Sequence, residues 1–173
     1  MQAFIALLRA VNVGGTGKLP MIELKTMCEA VGCKSVRTYI ASGNVVFQSG
    51  KTEAQVKAAL EKALAAYAGK PVGVMVRSAA EMAAVLAANP FPGMAGNLTH
   101  AFFLDKAAPA DALGAVTGRI NEQLSVGVRE IYVYFPDGAG QSKLKIPAAK
   151  AGTARNMNTV AKLAEMAGAL KAV

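Results

Sequence analysis

The chain has 173 residues, enough for one substantial core or two small, closely packed subdomains. Apolar residues make up 53% and charged residues 17%, the opposite of the balance in a disordered chain. Lys and Arg number 19 against 11 acids, a formal charge of +8 that steers anionic partners toward the surface. Ala3–Leu8 is apolar, but no positive stretch precedes it and Arg9 ends it, so it does not read as a secretory signal. No apolar run approaches the roughly 18 residues that span a bilayer, so no membrane partner is expected and the expected location is cytoplasmic. Cys28 and Cys33 fit that location as two reduced structural thiols; nothing near them resembles a metal ligand set.

In chain order, Ala3–Leu8 reads as a buried strand followed by a polar, Gly-rich loop. Pro20 suits a first helical turn, and Leu24, Met27, Cys28 and Val31 follow helical spacing until Gly32. Ser35–Ile40 and Asn44–Gln48 are β-rich runs joined by a turn at Ala41-Ser42-Gly43. Thr52 with Gln55 forms a capping box for a helix whose apolar face is Val56, Ala59, Leu60, Ala63, Leu64 and Tyr67. Val72–Val76 is the next strand. The order is βαββαβ, which points to a ferredoxin-like unit.

The second half nearly repeats that order. A linking helix opens at Ser78, with Glu81 as its capping partner, and ends before Asn89-Pro90. Pro90, Pro92, Gly93 and Gly96 mark a loop. Thr99–Leu104 is a strand, Pro109–Ile120 a helix weakened by Gly114 and Gly118, and Leu124–Val126 with Arg129–Phe135 two further strands. A last helix starts near Asn158, with Asn158 or Asn156 as its cap. The expected fold is therefore α+β: two ferredoxin-like (βαββαβ-type) subdomains packed together, the second lacking its last strand. The expected division is 1–77, a linking helix and loop over 78–97, and 98–173.

Acids are missing from three windows. Residues 1–22 carry Arg9 and Lys18, residues 30–52 carry Lys34, Arg37 and Lys51, and residues 138–164 carry Lys143, Lys145, Lys150, Arg155 and Lys162. The excess positive charge of the chain sits there. If these windows met, they would make a surface that draws anions; otherwise they are solvated basic faces.

Each window also holds a loop of small polar residues. Arg9, Asn12, Gly14, Gly15 and Lys18 stand between a strand and a helix, where backbone amides can bind a phosphate or carboxylate or simply make the turn. The loop is not a Walker A loop, since Asn12 replaces the first glycine and Leu19 the metal-binding hydroxyl. Arg155 and Asn156 lie beside the start of the last helix, where a guanidinium fork suits an anion and an asparagine suits a cap.

Four motifs in this order resemble a known family: Leu7-Leu-Arg-Ala-Val-Asn-Val-Gly-Gly15, Arg37-Thr-Tyr-Ile-Ala-Ser-Gly-Asn-Val-Val-Phe47, Ser142-Lys-Leu144 and Thr153-Ala-Arg-Asn-Met-Asn-Thr159. The chain is similar to the bacterial domain of unknown function 1697, and the likeness extends over nearly its whole length. It departs at Ala10, where the family usually has Gly, at Ala41, often Gln, and at Met157, often Trp. The resemblance implies a small bacterial α+β protein and brings no activity, cofactor or catalytic residue.

Catalytic and metal-binding patterns are weak. His100 is the single histidine, at a strand start among apolar neighbours, and no nucleophile elbow or metal-ligand spacing appears. No cofactor is expected. Two functions follow. One is binding of a small phosphate- or carboxylate-bearing ligand in a basic cleft lined by Arg9, Asn12, Gly14, Gly15, Lys18, Ser42, Asn44, Lys143, Arg155 and Asn156. The alternative is a nucleic-acid-binding module that stacks bases on Tyr132 and Tyr134, or a protein-interaction role through the sheet edges without catalysis. The anion-binding reading is favoured by the Gly- and Asn-rich loops beside helix starts.

Overall fold

The computed structural model describes residues 1–12 and 18–170. The chain divides into two compact units, Met1–Ala83 with Lys162–Val173, and Ala84–Ala161. The protein is α+β, with two four-stranded antiparallel sheets and four α-helices among the described residues.

The first unit follows the order β1 (Gln2–Leu8), α1 (Met21–Ala30), β2 (Lys34–Thr38), β3 (Asn44–Ser49), α2 (Glu53–Ala68) and β4 (Val74–Ser78). Its strands pair β2-β3-β1-β4, every pair antiparallel. Phe4, Ala6, Leu8, Val45, Phe47, Val74 and Val76 share a core with Leu24 and Cys28 of α1 and Val56, Leu60 and Leu64 of α2. On the alternate positions Ile5, Leu7, Val46, Met75 and Arg77 are buried as well. A strand buried on both faces reads as a continuous apolar run, which is why Ala3–Leu8 shows no alternation.

Local chemistry sets the helix ends. Thr52 and Gln55 close their capping box reciprocally, Thr52 N–H on Gln55 Oε1 at 3.0 Å and Gln55 N–H on Thr52 Oγ1 at 3.2 Å. At the other end Gly69 takes φ 71, the left-handed conformation that stops a helix at low cost. Ser78 and Glu81 repeat the box at the start of α3 (Ala79–Ala87).

The second unit holds β5 (Thr99–Phe103), β6 (Gln123–Val126), β7 (Glu130–Tyr134) and β8 (Thr153–Asn156), ordered β6-β7-β5-β8 and all antiparallel; α4 (Met157–Gly168) begins in it. Two expectations are corrected here. The sheet does not lack its last strand: Thr153–Asn156 pairs with β5, Arg155 opposite Ala101. The helix expected over 109–120 does not form either. That segment makes tight turns, Ala112 N–H to Pro109 O and Gly114 N–H to Asp111 O, and then bridges Thr117 to Lys145. Gly118, at φ 72, is outside the right-handed helical region, and a Cβ there would collide with the Lys143 carbonyl. Irregular segments do the packing that a helix would do: Ala112, Leu144 and Ile146 close over Leu104, Ile131, Val133 and Phe135. Asn156 rather than Asn158 caps α4, accepting from Thr159 N–H at 2.9 Å.

Candidate functional site

Of the ten residues singled out from sequence, Arg9, Asn12, Lys18, Ser42 and Asn44 belong to the first unit and Lys143, Arg155 and Asn156 to the second. Gly14 and Gly15 lie outside the described residues. The described ones divide by what their side chains already hold.

Asn12 is a clamp. Its Nδ2 donates to Leu19 O and Ala41 O, both at 2.8 Å, and its Oδ1 accepts from Leu19 N–H at 2.6 Å. One carboxamide thus ties the chain before α1 to the β2–β3 turn, and both of its protons are used. Asn44, fully buried, does the same within that turn, donating to Tyr39 O and Ser42 Oγ at 2.9 Å each. Gly43 between them has φ 90, and a Cβ there would stand 2.7 Å from Val11 Cγ2 and 2.9 Å from Leu8 Cβ. The loops meet so closely that only glycine fits. Ala10 has φ 55, a conformation glycine adopts freely and alanine does not.

Beside this clamped loop lies a cavity of about 210 Å³, lined by Ala10, Val11, Lys18, Tyr67, Ala68, Lys70 and Val72. Lys18 comes from the end of the loop; Tyr67 and Lys70 come from the end of α2 and the segment after it. The described lining contains two ammonium groups, one phenol and no acid. Arg9 is close by, its backbone N–H on Gly73 O at 2.9 Å and its aliphatic stem against Gly73. Tyr67 was expected on the core face of α2, yet it is 47% exposed. Tyr67 and Lys70 are the lining residues that sequence reasoning missed; Lys70, one residue past the Gly69 helix stop, was the available signal.

In the second unit Arg155 is buried, its Nη1 donating to Thr153 Oγ1 at 2.8 Å and Ala154 O at 2.9 Å. Burial lowers its pKa to about 10. Arg77 on β4 makes the same local contact, Nη1 to Val76 O at 2.9 Å. Asn156 is spent as the α4 cap, and Lys143 is exposed. The Ser142-Lys-Leu144 motif is a clasp: Ser142 Oγ donates to Glu122 Oε2 at 2.7 Å and accepts from Leu144 N–H at 3.1 Å. Glu122 Oε1 takes the N–H groups of Ile120 and Asn121 at 2.8 and 3.0 Å. Those backbone bonds and the Ser142 hydroxyl lower its pKa to about 2.

Tyr132, the proposed base-stacking platform, is 1% exposed and its hydroxyl donates to Val85 O at 2.7 Å, so no base reaches its ring. Tyr134 is half-buried against Phe91, ring centroids 6.3 Å apart. His100 Nδ1 is buried with no hydrogen-bond partner, its ring edge-on to Phe135 at 5.3 Å, and desolvation lowers its pKa. Cys28 and Cys33 are buried free thiols. Among the described residues no group of three His, Cys, Asp or Glu could hold a metal ion, and no helix is long and apolar enough to cross a membrane.

Comparison with solved structures gives a conserved bacterial protein, SP0830 from Streptococcus pneumoniae, with a TM-score of 0.77 over 95% of this chain and 98% of that one, at 24% identity. That likeness establishes a shared fold. No curated protein matches the chain. The family described as protein of unknown function (DUF1697) matches residues 1–132, well over half the length, and takes in the clamped loop, the β2–β3 turn and the cavity beside them. The chain belongs to this family of unknown function, DUF1697.

Proposed function

We propose that the protein binds a small anion, phosphate or a short carboxylate, in the cavity between Lys18 and Lys70. The observation that carries this reading is the pairing of two lysines on one concave, acid-free described lining with Tyr67 at its side. A volume of about 210 Å³ is below the usual ~300–1,000 Å³ of drug-sized sites, so the ligand is small. Val11, Ala68 and Val72 supply an apolar wall that strengthens a charge contact by excluding water. Arg9 draws the anion toward the site, while Asn12, Ser42 and Asn44 hold the loop geometry. Lys143, Arg155 and Asn156 are not needed for this reading. The frame is a sheet ordered β2-β3-β1-β4 with α1 and α2 against one face, an arrangement we read as ferredoxin-like; the second sheet repeats the strand order without a helix over 109–120.

Thermal melting and titration calorimetry with inorganic phosphate, short dicarboxylates and oligonucleotides, at two salt concentrations, test it. Phosphate or a carboxylate is expected to raise the melting temperature of the wild type, with the shift lost in Lys18→Ala and in Lys70→Ala. Shifts that survive both substitutions, or that arise only with oligonucleotides and fade with salt, would overturn the reading.

A further inference from the structure

Each sheet has two outer strands, and three of these four are buried in whole or in part, or guarded. All five residues of β4 are buried. On β8, Thr153 and Arg155 are buried. The β2 edge is exposed but carries Lys34 and Arg37 and a bulge between them, with Ser35 at φ 53. Charges and bulges are how sheets keep an open edge from pairing with another chain. The fourth edge, β6, has none of these: Gln123, Leu124, Ser125 and Val126 are uncharged and unbulged, pairing with β7 residue for residue. Beside it, Val126 is 43%, Val128 78% and Ile120 84% exposed.

We propose that β6 is a self-association edge, joined by a second copy of this chain across a two-fold axis at Ser125. Gly127 N–H donates to Glu130 O at 2.8 Å, and Ser125 stands opposite Tyr132. Antiparallel alternation then turns the N–H and C=O of Leu124 and Val126 away from β7. With the axis at Ser125, Leu124 of each copy faces Val126 of the other, and the two pairs exchange about four backbone bonds. Leu124 and Val126 stand on the side of the sheet occupied by Val133 and Ile131. Each apolar core is thereby extended by a residue of the other copy. No like charges meet within the paired strands, which is what suits a second copy.

A four-residue strand buries far less than the ~1,200–2,000 Å² of a stable complex, so the dimer is weak and reversible. Two copies of charge +8 repel each other, so association tightens as salt is added, the reverse of anion binding. Sedimentation equilibrium over a range of protein and salt concentrations is the test, together with amide hydrogen exchange. A monomer–dimer equilibrium strengthened by salt is expected, with slower exchange at Leu124 and Val126 as concentration rises. Val126→Lys and, separately, Val128→Lys are expected to leave the melting temperature within a few degrees of wild type; Val126→Lys is expected to abolish the dimer and Val128→Lys to weaken it. A protein that stays monomeric at ~1 mM in high salt would overturn the proposal. Association that persists in folded Val126→Lys, or that leaves both amides unchanged, would do so too.

Discussion

The hydroxyl of Ser142 donates to the carboxylate of Glu122 across 2.7 Å, joining the Ser142-Lys-Leu144 segment to a loop twenty residues earlier. Glu122 is 4% exposed and accepts hydrogen bonds from Ile120, Asn121 and Ser142.

Acid should loosen this clasp. The carboxyl pKa is lowered from 4.5 to about 2, so its contribution is complete above the unfolded value and fades as pH falls from about 4.5 toward about 2. Glu122→Gln presents an amide where two backbone donors point, and is expected to melt below wild type at neutral pH. The gap should narrow across that acid window. Melting temperature against pH for both proteins checks it; parallel curves would show that the clasp contributes nothing.

His100 should give the acid dependence one step higher. Its folded pKa is lowered by desolvation, so the unfolded chain binds the proton first as pH drops below about 6.5, and stability declines there. In the first sheet the slot equivalent to His100 is filled by Phe4, which faces Ser78 as His100 faces Asn156. His100→Phe is expected to keep the contact with Phe135 and to flatten the melting curve between about pH 7 and pH 5. The imidazole resonance, followed by NMR, should titrate below 6.5.

The loop crossing gives a pair of opposite backbone effects. Gly43→Ala drives a methyl into Val11 and Leu8 at φ 90 and should destabilise by roughly 1–3 kcal/mol. Ala10→Gly removes a left-handed alanine at φ 55 and should stabilise by up to about 1 kcal/mol. Urea unfolding midpoints measure both.

Asn156→Ala removes the acceptor for Thr159 N–H at the start of α4 and should cost about 1 kcal/mol, while Asn158→Ala, exposed and outside the cap, should cost little. Equal losses would return the cap to Asn158.

Much of the fold was legible because its signals are local. The capping boxes at Thr52 and Ser78, the turn at Gly43 and the apolar runs of β1, β3 and β7 each specify themselves within a few residues. The two errors concern tertiary bonds. Thr153-Ala154-Arg155-Asn156 has weak strand propensity and becomes a strand through its pairing with β5. Residues 109–120 have moderate helix propensity and lose the helix to the Thr117–Lys145 bridge and the close approach at Gly118. The candidate site was legible in part for a similar reason. Asparagine at a loop reads equally as ligand or clamp, and Asn12 and Asn44 proved to be clamps. Lys70 and Tyr67 reach the cavity only because α2 brings its last turn back to the loop before α1.

Arg77 and Arg155 stand in the same slot of their two sheets, each on the outer strand beside the sheet's first strand in chain order, each bonded to the carbonyl before it, each followed by a helix cap. The two halves show no self-similarity in their letters. Numbered by strand position, however, 77 and 78 fall on 155 and 156, and Phe4 falls on His100. The likeness of the two sheets is one of position, and it shows only when residues are compared by their place in the sheet.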